Sequence, residues 1–345
     1  MTIALFSATP VAYDGGYERF LTRFHDFLDR VQVTNRIVEG PVKALHLLSK
    51  SIGRENTFTR VLNSTYNPNW IKDLKSADII YAKAEALDMV TLKTLRLSVP
   101  LVFGLHTPLV YPPDNSTLLR RIAYSKASLR FLFGRSYIHA LGEEQLHDVS
   151  RFPNKVFVVS NGVGIPSLRR GSISRNTVLF VGRLTDQKGL DRIHNILALK
   201  DPPTVRIAGD GPLEPLIREW DRAGKVTYLG KLNSAQIESE MANAEILIVP
   251  SRWEGLPLTV LEALRLGLPV VTSELPFSLR LEKEIDGIFT TDFDEPTRLT
   301  SAIHSARAAN ARSHSISLRA AELFDETVQF GKLHRQLIRV NRETV

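Results

Sequence analysis

The chain has 345 residues, 43% hydrophobic and 23% charged, which fits two globular domains with full cores. It has no cysteine, which excludes disulfide scaffolds, thiolate metal sites and cysteine nucleophiles. The net charge is +7, and residues 1–164 carry +6 of it, with 20 Lys and Arg against 14 Asp and Glu, which favours an anionic partner for that half. No run of about 18 apolar residues is present to span a membrane. The short apolar start, residues 1–6, lacks the basic flank and cleavage site of a signal peptide. The cytoplasm is the expected compartment, with peripheral contact at the inner face of the membrane left open.

Short apolar runs alternate with helical periodicity, the pattern of a parallel sheet with crossover helices. Residues 3–7 form the first expected strand. A loop ending in Asp14-Gly15-Gly16 follows, then a helix over 17–29 that buries Phe20, Leu21, Phe24 and Leu28. The region 31–65 suggests a helix near 42–49 and a weak strand near 58–62. Strands are expected at 78–82 and 101–105. The stretch 118–137 holds Arg120, Arg121, Lys126, Arg130 and Arg135 with no acid. Leu118, Ile122, Leu129, Leu132 and Phe133 fall on one stripe of a helical wheel, which predicts a core-facing helix with a solvated basic face; membrane docking is the alternative. A strand at 156–159 runs into the turn Ser160-Asn161-Gly162.

The second half repeats the alternation. A basic, Ser-rich segment, 168–176, reads as an interdomain linker. Strands are expected at 178–181, 205–208, 226–229, 246–249 and 269–272, with helices near 189–199, 213–222, 234–242 and 257–266. In such doubly wound domains ligands bind at the carboxyl ends of the strands.

Three βα turns of this half carry chemistry. After the strand 246–249 comes Ser251-Arg252-Trp253-Glu254-Gly255-Leu256-Pro257-Leu258-Thr259, opening a helix with proline near its first turn. Backbone N–H groups of Gly255, Leu256, Leu258 and Thr259 would make an anion site there. Glu254 sits at the mouth of the turn and Glu262 inside the helix, and a carboxylate in such a place grips vicinal sugar hydroxyls by accepting two hydrogen bonds. After 178–181, the loop Gly182-Arg183-Leu184-Thr185-Asp186-Gln187-Lys188-Gly189 carries two cations able to clamp a diphosphate. After 205–208 comes the glycine turn Gly209-Asp210-Gly211-Pro212. Each alone reads as a surface loop or a cap; three on one domain point to a site.

The order Gly-Arg-Leu…Lys-Gly, Gly-Asp-Gly-Pro and Glu-Gly-Leu-Pro…Glu-Ala…Gly-Leu-Pro-Val-Val resembles the large family 4 of retaining glycosyltransferases, of GT-B fold. The motifs are specific from residue 178 to 273 and looser before. Ser160-Asn161-Gly162-Val163 is similar to the family's interdomain segment, except that Gly164 stands where an aspartate is usual. The resemblance implies two Rossmann-like doubly wound α/β domains with a cleft between them: 1–164 on the acceptor side, 165–325 for the nucleotide sugar, and 326–345 as a helix returning to the first. It implies that Arg183 and Lys188 hold the donor diphosphate, that Glu254 contacts the transferred sugar, and that Glu262 binds the ribose hydroxyls. Gly15 and Gly16 match the family's N-terminal glycine loop, where backbone approaches donor phosphate and acceptor. His106 matches the active-site histidine, hydrogen-bonding the donor sugar.

The reaction implied is transfer of a hexose-type sugar from a UDP- or GDP-sugar, with retention and without cofactor or metal, to a glycan, a lipid-linked or a small-molecule acceptor. Leaving-group electrostatics would drive it, since no carboxylate stands out as the nucleophile of a double displacement. The Asp292-Phe293-Asp294 triplet has the Asp-x-Asp form of a metal site, but its place after 287–291 and before a helix near Pro296 suits a turn and a helix cap better. A nucleotide-sugar epimerase of related fold is the alternative within the same architecture. A non-catalytic nucleotide-sugar or nucleic-acid module ranks lowest, because no groove of interleaved aromatic and basic residues is visible.

Overall fold

The computed structural model describes residues 1–8, 15–40, 69–109, 118–171, 173–174 and 176–344, with the side chains of 118–120 outside the description. The chain divides into two compact units, Met1–Asn161 with Thr327–Val345, and Gly162–Glu326.

Among its described residues the first unit has six parallel strands, β1 (Ile3–Ser7), β2 (Asn35–Glu39), β3 (Ile79–Lys83), β4 (Leu101–Gly104), β5 (Tyr137–Ala140) and β6 (Val156–Val158), in the order β2-β1-β3-β4-β5-β6. Its helices are α1 (Gly16–Arg30), α2 (Trp70–Lys75), α3 (Ala86–Thr94), α4 (Leu118–Ala123), α5 (Lys126–Phe133) and α6 (Leu146–Val149). Both faces of the sheet are covered, so β1 reads as a continuous apolar run. Ile3 and Leu5 pack in one layer and Ala4 and Phe6 in the other, all four fully buried. Phe20, Phe24 and Phe27 of α1 recur at helical spacing and meet Phe330 of the last helix of the chain at ring-centroid distances of 5.2–5.8 Å. Each fully buried phenylalanine contributes about 1.5–3 kcal/mol.

The second unit has six more parallel strands, β7 (Thr177–Val181), β8 (Thr204–Ala208), β9 (Thr227–Gly230), β10 (Ile246–Val249), β11 (Val270–Ser273) and β12 (Ile288–Thr291), in the order β12-β11-β10-β7-β8-β9. Its helices are α7 (Ile193–Leu197), α8 (Glu214–Arg222), α9 (Ser234–Asn243), α10 (Leu258–Leu266), α11 (Pro276–Glu284), α12 (Pro296–Ala309) and α13 (Ser313–Phe324). A final helix, α14 (Glu326–Thr344), lays Phe330, Leu333, Leu337 and Val340 into the core of the first unit. In each sheet the order reverses at one place, between β1 and β3 and between β7 and β10. The loops leaving those strands open a crevice at the carboxyl edge.

The structure departs from the sequence expectations at several places. The stretch 118–137 is not one helix. Ser125 caps α5 by accepting from the backbone of Ser128 (3.3 Å), Gly134 turns the chain at φ 50°, and a strand begins at Tyr137. Leu129, Leu132 and Phe133 are buried as the stripe predicts, but Ile122 is 56% exposed because the helix breaks before the stripe can continue. β2 is an additional strand, and the helix near 42–49 and strand near 58–62 lie outside the described residues. The helix expected over 189–199 is one 3-10 turn, Leu190–Arg192, followed by the short α7. Residues 168–171 are not a free linker: Arg170 donates to the carbonyls of Gly267 (2.9 Å) and Ala244 (2.5 Å) and to Asn310 (2.7 Å), fastening this segment to the second unit. In the Asp292-Phe293-Asp294 triplet, Phe293 is fully buried and Asp292 closes a turn by accepting from the Asp294 N–H at 2.9 Å. The cap of α12 is Glu295 rather than an aspartate, accepting from Thr297 and Arg298.

Candidate active site

In the second unit, the loops after β7 and β10 flank the reversal of strand order, and the loop after β8 lies beside them. The β7 and β8 loops are stitched together by Gly182 N–H to Ala208 O (3.1 Å), Leu184 N–H to Asp210 O (2.8 Å) and Leu213 N–H to Leu184 O (3.0 Å). This approach requires glycine at 209: with φ at 148°, a Cβ there would land on the Gly182 carbonyl. The turn is also held on its other side, where Gly209 N–H donates to Gly230 O (2.8 Å).

The loop carrying Lys188 is latched to the loop carrying Glu254. Arg252 forms a two-pronged pair with Asp191 at 2.8 and 2.6 Å, which holds the Asp191 carboxyl below its usual pKa. The Arg252 N–H donates to Gln187 O (2.8 Å), and the Gln187 side chain donates to Trp253 O (3.0 Å). Arg192 reaches Pro250 O (3.2 Å) and pairs with Asp294 (3.3 Å). Gly189, at φ 64°, packs so tightly on the Pro250 carbonyl that a Cβ would overlap it.

On this frame Lys188 Nζ meets Glu254 Oε1 at 2.5 Å, and Ser251 Oγ donates to the same oxygen at 2.8 Å. Gly255 and Leu256 are buried behind Glu254. Leu258 and Thr259 open α10, where the first N–H groups have no intrahelical acceptor; Val260 and Leu261 both donate back to Pro257 O. Glu262, half-buried, lies about one turn further along the helix. Arg183 is exposed and makes no ion pair or side-chain hydrogen bond among the described residues. The structure therefore brings Lys188, Glu254 and the α10 start together. Arg183 stands apart, anchored through its buried neighbour Leu184.

In the first unit, Gly15 caps α1 in an extended conformation. A Cβ at Gly16 would meet no atom of the described residues within 4 Å. His106 follows β4, half-buried against the rings of Phe20 (4.4 Å between centroids) and Tyr17 (4.9 Å). Its Nε2 lies 2.8 Å from the Tyr81 hydroxyl, which in turn lies 2.7 Å from His139 Nδ1. Burial holds His106 well below the usual histidine range and brings His139 down to about 4.

A buried charged cluster at the reversal between β1 and β3 escaped sequence reasoning. Lys83 pairs with Glu85 (2.6 Å) and Glu18 (3.6 Å), and its ammonium lies 5.3 Å from the centre of the Tyr17 ring. Fully buried Asp88 accepts the Ala8 N–H at 2.9 Å through Oδ1, while its Oδ2 has no hydrogen-bond partner among the described residues. Burial raises this carboxyl to about 7. The available signals were a lysine inside the otherwise apolar strand 79–83 and a histidine inside the strand 137–140.

Residues 175–307 match the family described as glycosyl transferases group 1. Sulfoquinovosyl transferase SQD2 of Arabidopsis thaliana is 24% identical over 303 residues, 79% of this chain and 59% of the relative. The O-antigen biosynthesis glycosyltransferase WclY of Escherichia coli is 32% identical over 128 residues, 36% of this chain and 35% of the relative. The chain thus matches less than two thirds of the length of these curated relatives. Sucrose-phosphate synthase from Thermosynechococcus elongatus superposes with a TM-score of 0.71 at 16% identity, covering 98% of this chain and 99% of that one. HepE of Anabaena, solved in complex with UDP-glucose, superposes with a TM-score of 0.70 at 18% identity, covering 98% and 100%. The fold is that of GT-B glycosyltransferases, and the resemblance seen in the sequence holds at the level of group 1 glycosyl transferases.

Proposed function

We propose that the protein is a glycosyltransferase that moves a hexose-type sugar from a nucleotide-diphosphate sugar to a hydroxyl acceptor, with retention of configuration and without a divalent metal. The observation that carries this reading is the assembly at the reversal of strand order in the second unit, where Lys188, Glu254 and the α10 start share one edge. An ammonium and a helix N-terminus suit a diphosphate. A carboxylate beside them, already paired and hydrogen-bonded, suits sugar hydroxyls better than nucleophilic attack.

Arg183 and Lys188 bind the diphosphate, assisted by N–H groups at Gly255, Leu256, Leu258 and Thr259. The Lys188 ammonium has three N–H donors, so its bond to Glu254 leaves others for phosphate. Glu254 holds the transferred sugar, Glu262 the ribose, and His106 hydrogen-bonds the sugar; Gly15 and Gly16 admit donor phosphate and acceptor. In the reaction the bond from the sugar's anomeric carbon to the diphosphate oxygen breaks. The acceptor oxygen bonds to the same carbon on the same face, and its proton passes to the departing phosphate oxygen. Charge on that leaving group is met by Arg183, Lys188 and the helix start. HepE was solved with UDP and with UDP-glucose, which makes a uridine diphosphate sugar the first donor to try. Labelled UDP- and GDP-sugars with product analysis test the reading. Label in a new glycoside supports it; an epimerised nucleotide sugar, or binding without turnover, refutes it.

An anionic membrane surface is the partner that the first unit favours. Among the described residues no helix is long and apolar enough to cross a membrane. On α5, however, Phe131 is 66% exposed and the Lys93 ammonium lies 5.0 Å from the centre of its ring, while α4 and α5 carry exposed Arg121, Lys126 and Arg130. An exposed aromatic side chain carried with exposed cations suits insertion at a headgroup boundary. Co-sedimentation with anionic vesicles, reversed by salt and weakened in Phe131→Ser, tests this; equal binding to neutral vesicles refutes it.

A further inference from the structure

We propose that Tyr81 and His139 are positioning residues that hold His106 in its Nε2–H tautomer, so that His106 presents Nδ1 as a hydrogen-bond acceptor for a ligand hydroxyl. The argument starts from an atom that can only accept. The Val159 carbonyl oxygen lies 2.7 Å from His139 Nε2, so that nitrogen carries the proton. His139 is fully buried, stacked on Phe157 at 5.2 Å, and neutral at physiological pH; its Nδ1 is then a bare lone pair. Tyr81 Oη, 2.7 Å away, must donate its single proton to that lone pair. Having spent its proton, the hydroxyl only accepts from His106 Nε2 at 2.8 Å, which must therefore be protonated. In the reverse arrangement, with the Tyr81 proton turned toward His106, two lone pairs would face each other across 2.7 Å at His139.

The sheet is built to allow this chain. Tyr81 is on β3, His106 just beyond β4, and His139 on β5, with Gly104 of β4 in register with His139. A Cβ at Gly104 would overlap the Tyr81 hydroxyl and come within 2.8 Å of His106 Nε2, so glycine here makes room for the hydrogen bond itself. Phe20 and Tyr17 hold the His106 ring from one side. Lys83 also disfavours a charged His106. Fixed in this way, His106 selects for hydroxyl groups and against unprotonated phosphate oxygens, because it offers no proton at Nδ1. Its part in turnover rests on the proposed contact between His106 and the donor sugar.

Two-bond proton–nitrogen correlation spectra of ¹⁵N-histidine-labelled protein read the tautomer directly. In the wild type, His106 is expected to carry its proton on Nε2, with Nδ1 bare, from pH 6 to 8. In Tyr81→Phe, which removes only the hydroxyl, His106 is expected to lose its fixed tautomer, while His139 keeps its own because the Val159 bond remains. A proton on His106 Nδ1 in the wild type, or an unchanged His106 in Tyr81→Phe, would overturn the proposal. Addition of UDP-glucose tests the sugar contact separately. A shift of the His106 Nδ1 resonance supports that contact, whereas saturating UDP-glucose that leaves it unmoved overturns the role in turnover and leaves the tautomer result standing.

Discussion

Removing the two loop cations one at a time should separate ligand binding from stability, because the structure gives them different surroundings. Arg183 is exposed and has no protein partner among the described residues. Arg183→Ala should therefore leave stability within about 0.5 kcal/mol of wild type. If it meets the diphosphate, the variant loses charge-assisted hydrogen bonds of about 1.5–3 kcal/mol, a roughly 10- to 150-fold weaker Kd for UDP. Lys188 is paired at 2.5 Å with Glu254, and the two side chains are 18% and 9% exposed. Lys188→Ala leaves that carboxylate with the Ser251 hydroxyl in place of an ammonium. Breaking a buried pair costs about 3–5 kcal/mol, and the residual exposure here brings this to roughly 2 kcal/mol, or about 4–8 °C in Tm for a unit of this size. The double variant Lys188→Ala/Glu254→Gln should recover much of that Tm without recovering UDP affinity. Thermal unfolding and calorimetric titration with UDP measure both quantities. Equal Tm losses in the two single variants, or unchanged UDP affinity in both, would refute the reasoning.

The two glutamates should fail differently: Glu254→Gln should lower kcat strongly, and Glu262→Gln should mainly raise the Kd for UDP, so matching effects on both parameters would argue against separate roles. Turnover should survive EDTA, and Asp292→Asn with Asp294→Asn should be mild, since these carboxylates serve a turn, Asn195 and Arg192; loss of activity restored by manganese or magnesium would overturn the metal-free donor site. Asp88 should make stability fall as pH rises. Its carboxyl goes from 3.8 to about 7 on burial, so the folded chain holds the proton more tightly. The stabilisation is complete below about pH 4 and gone above about pH 7, by up to roughly 4 kcal/mol at 1.36 kcal/mol per pKa unit. Urea denaturation from pH 4 to 8 should show this slope in the wild type and not in Asp88→Asn; parallel slopes would refute it.

The alternation of apolar runs with helical stretches was enough to show a doubly wound α/β chain, because a sheet covered on both faces forces runs such as residues 3–6 of β1 and the whole of Ile246–Val249 to be apolar. Glycine turns after those strands were legible for a similar reason: where backbones touch, as Gly209 does Gly182, no other residue fits. Strands with mixed character were not legible. Tyr137–Ala140 carries a histidine whose partners are Tyr81 in the middle of β3 and Val159 just beyond β6, and Asn35–Glu39 is only partly buried. The basic stretch 118–137 kept its periodicity through a break that a serine cap and a left-handed glycine impose, so its pattern alone could not reveal the exposed Phe131. Arg183 and Lys188 stood out as a pair of cations on one loop, and Glu254 as a carboxylate on another turn. That Lys188 and Glu254 are partners, that Arg252 and Asp191 latch their loops, and that a carbonyl at Val159 sets the protonation of His106 through Tyr81 and His139 were decided only by the tertiary structure. Such links join groups 20 to 66 residues apart, and hydrogen-bond direction depends on which atoms meet in space, an order that local sequence does not encode.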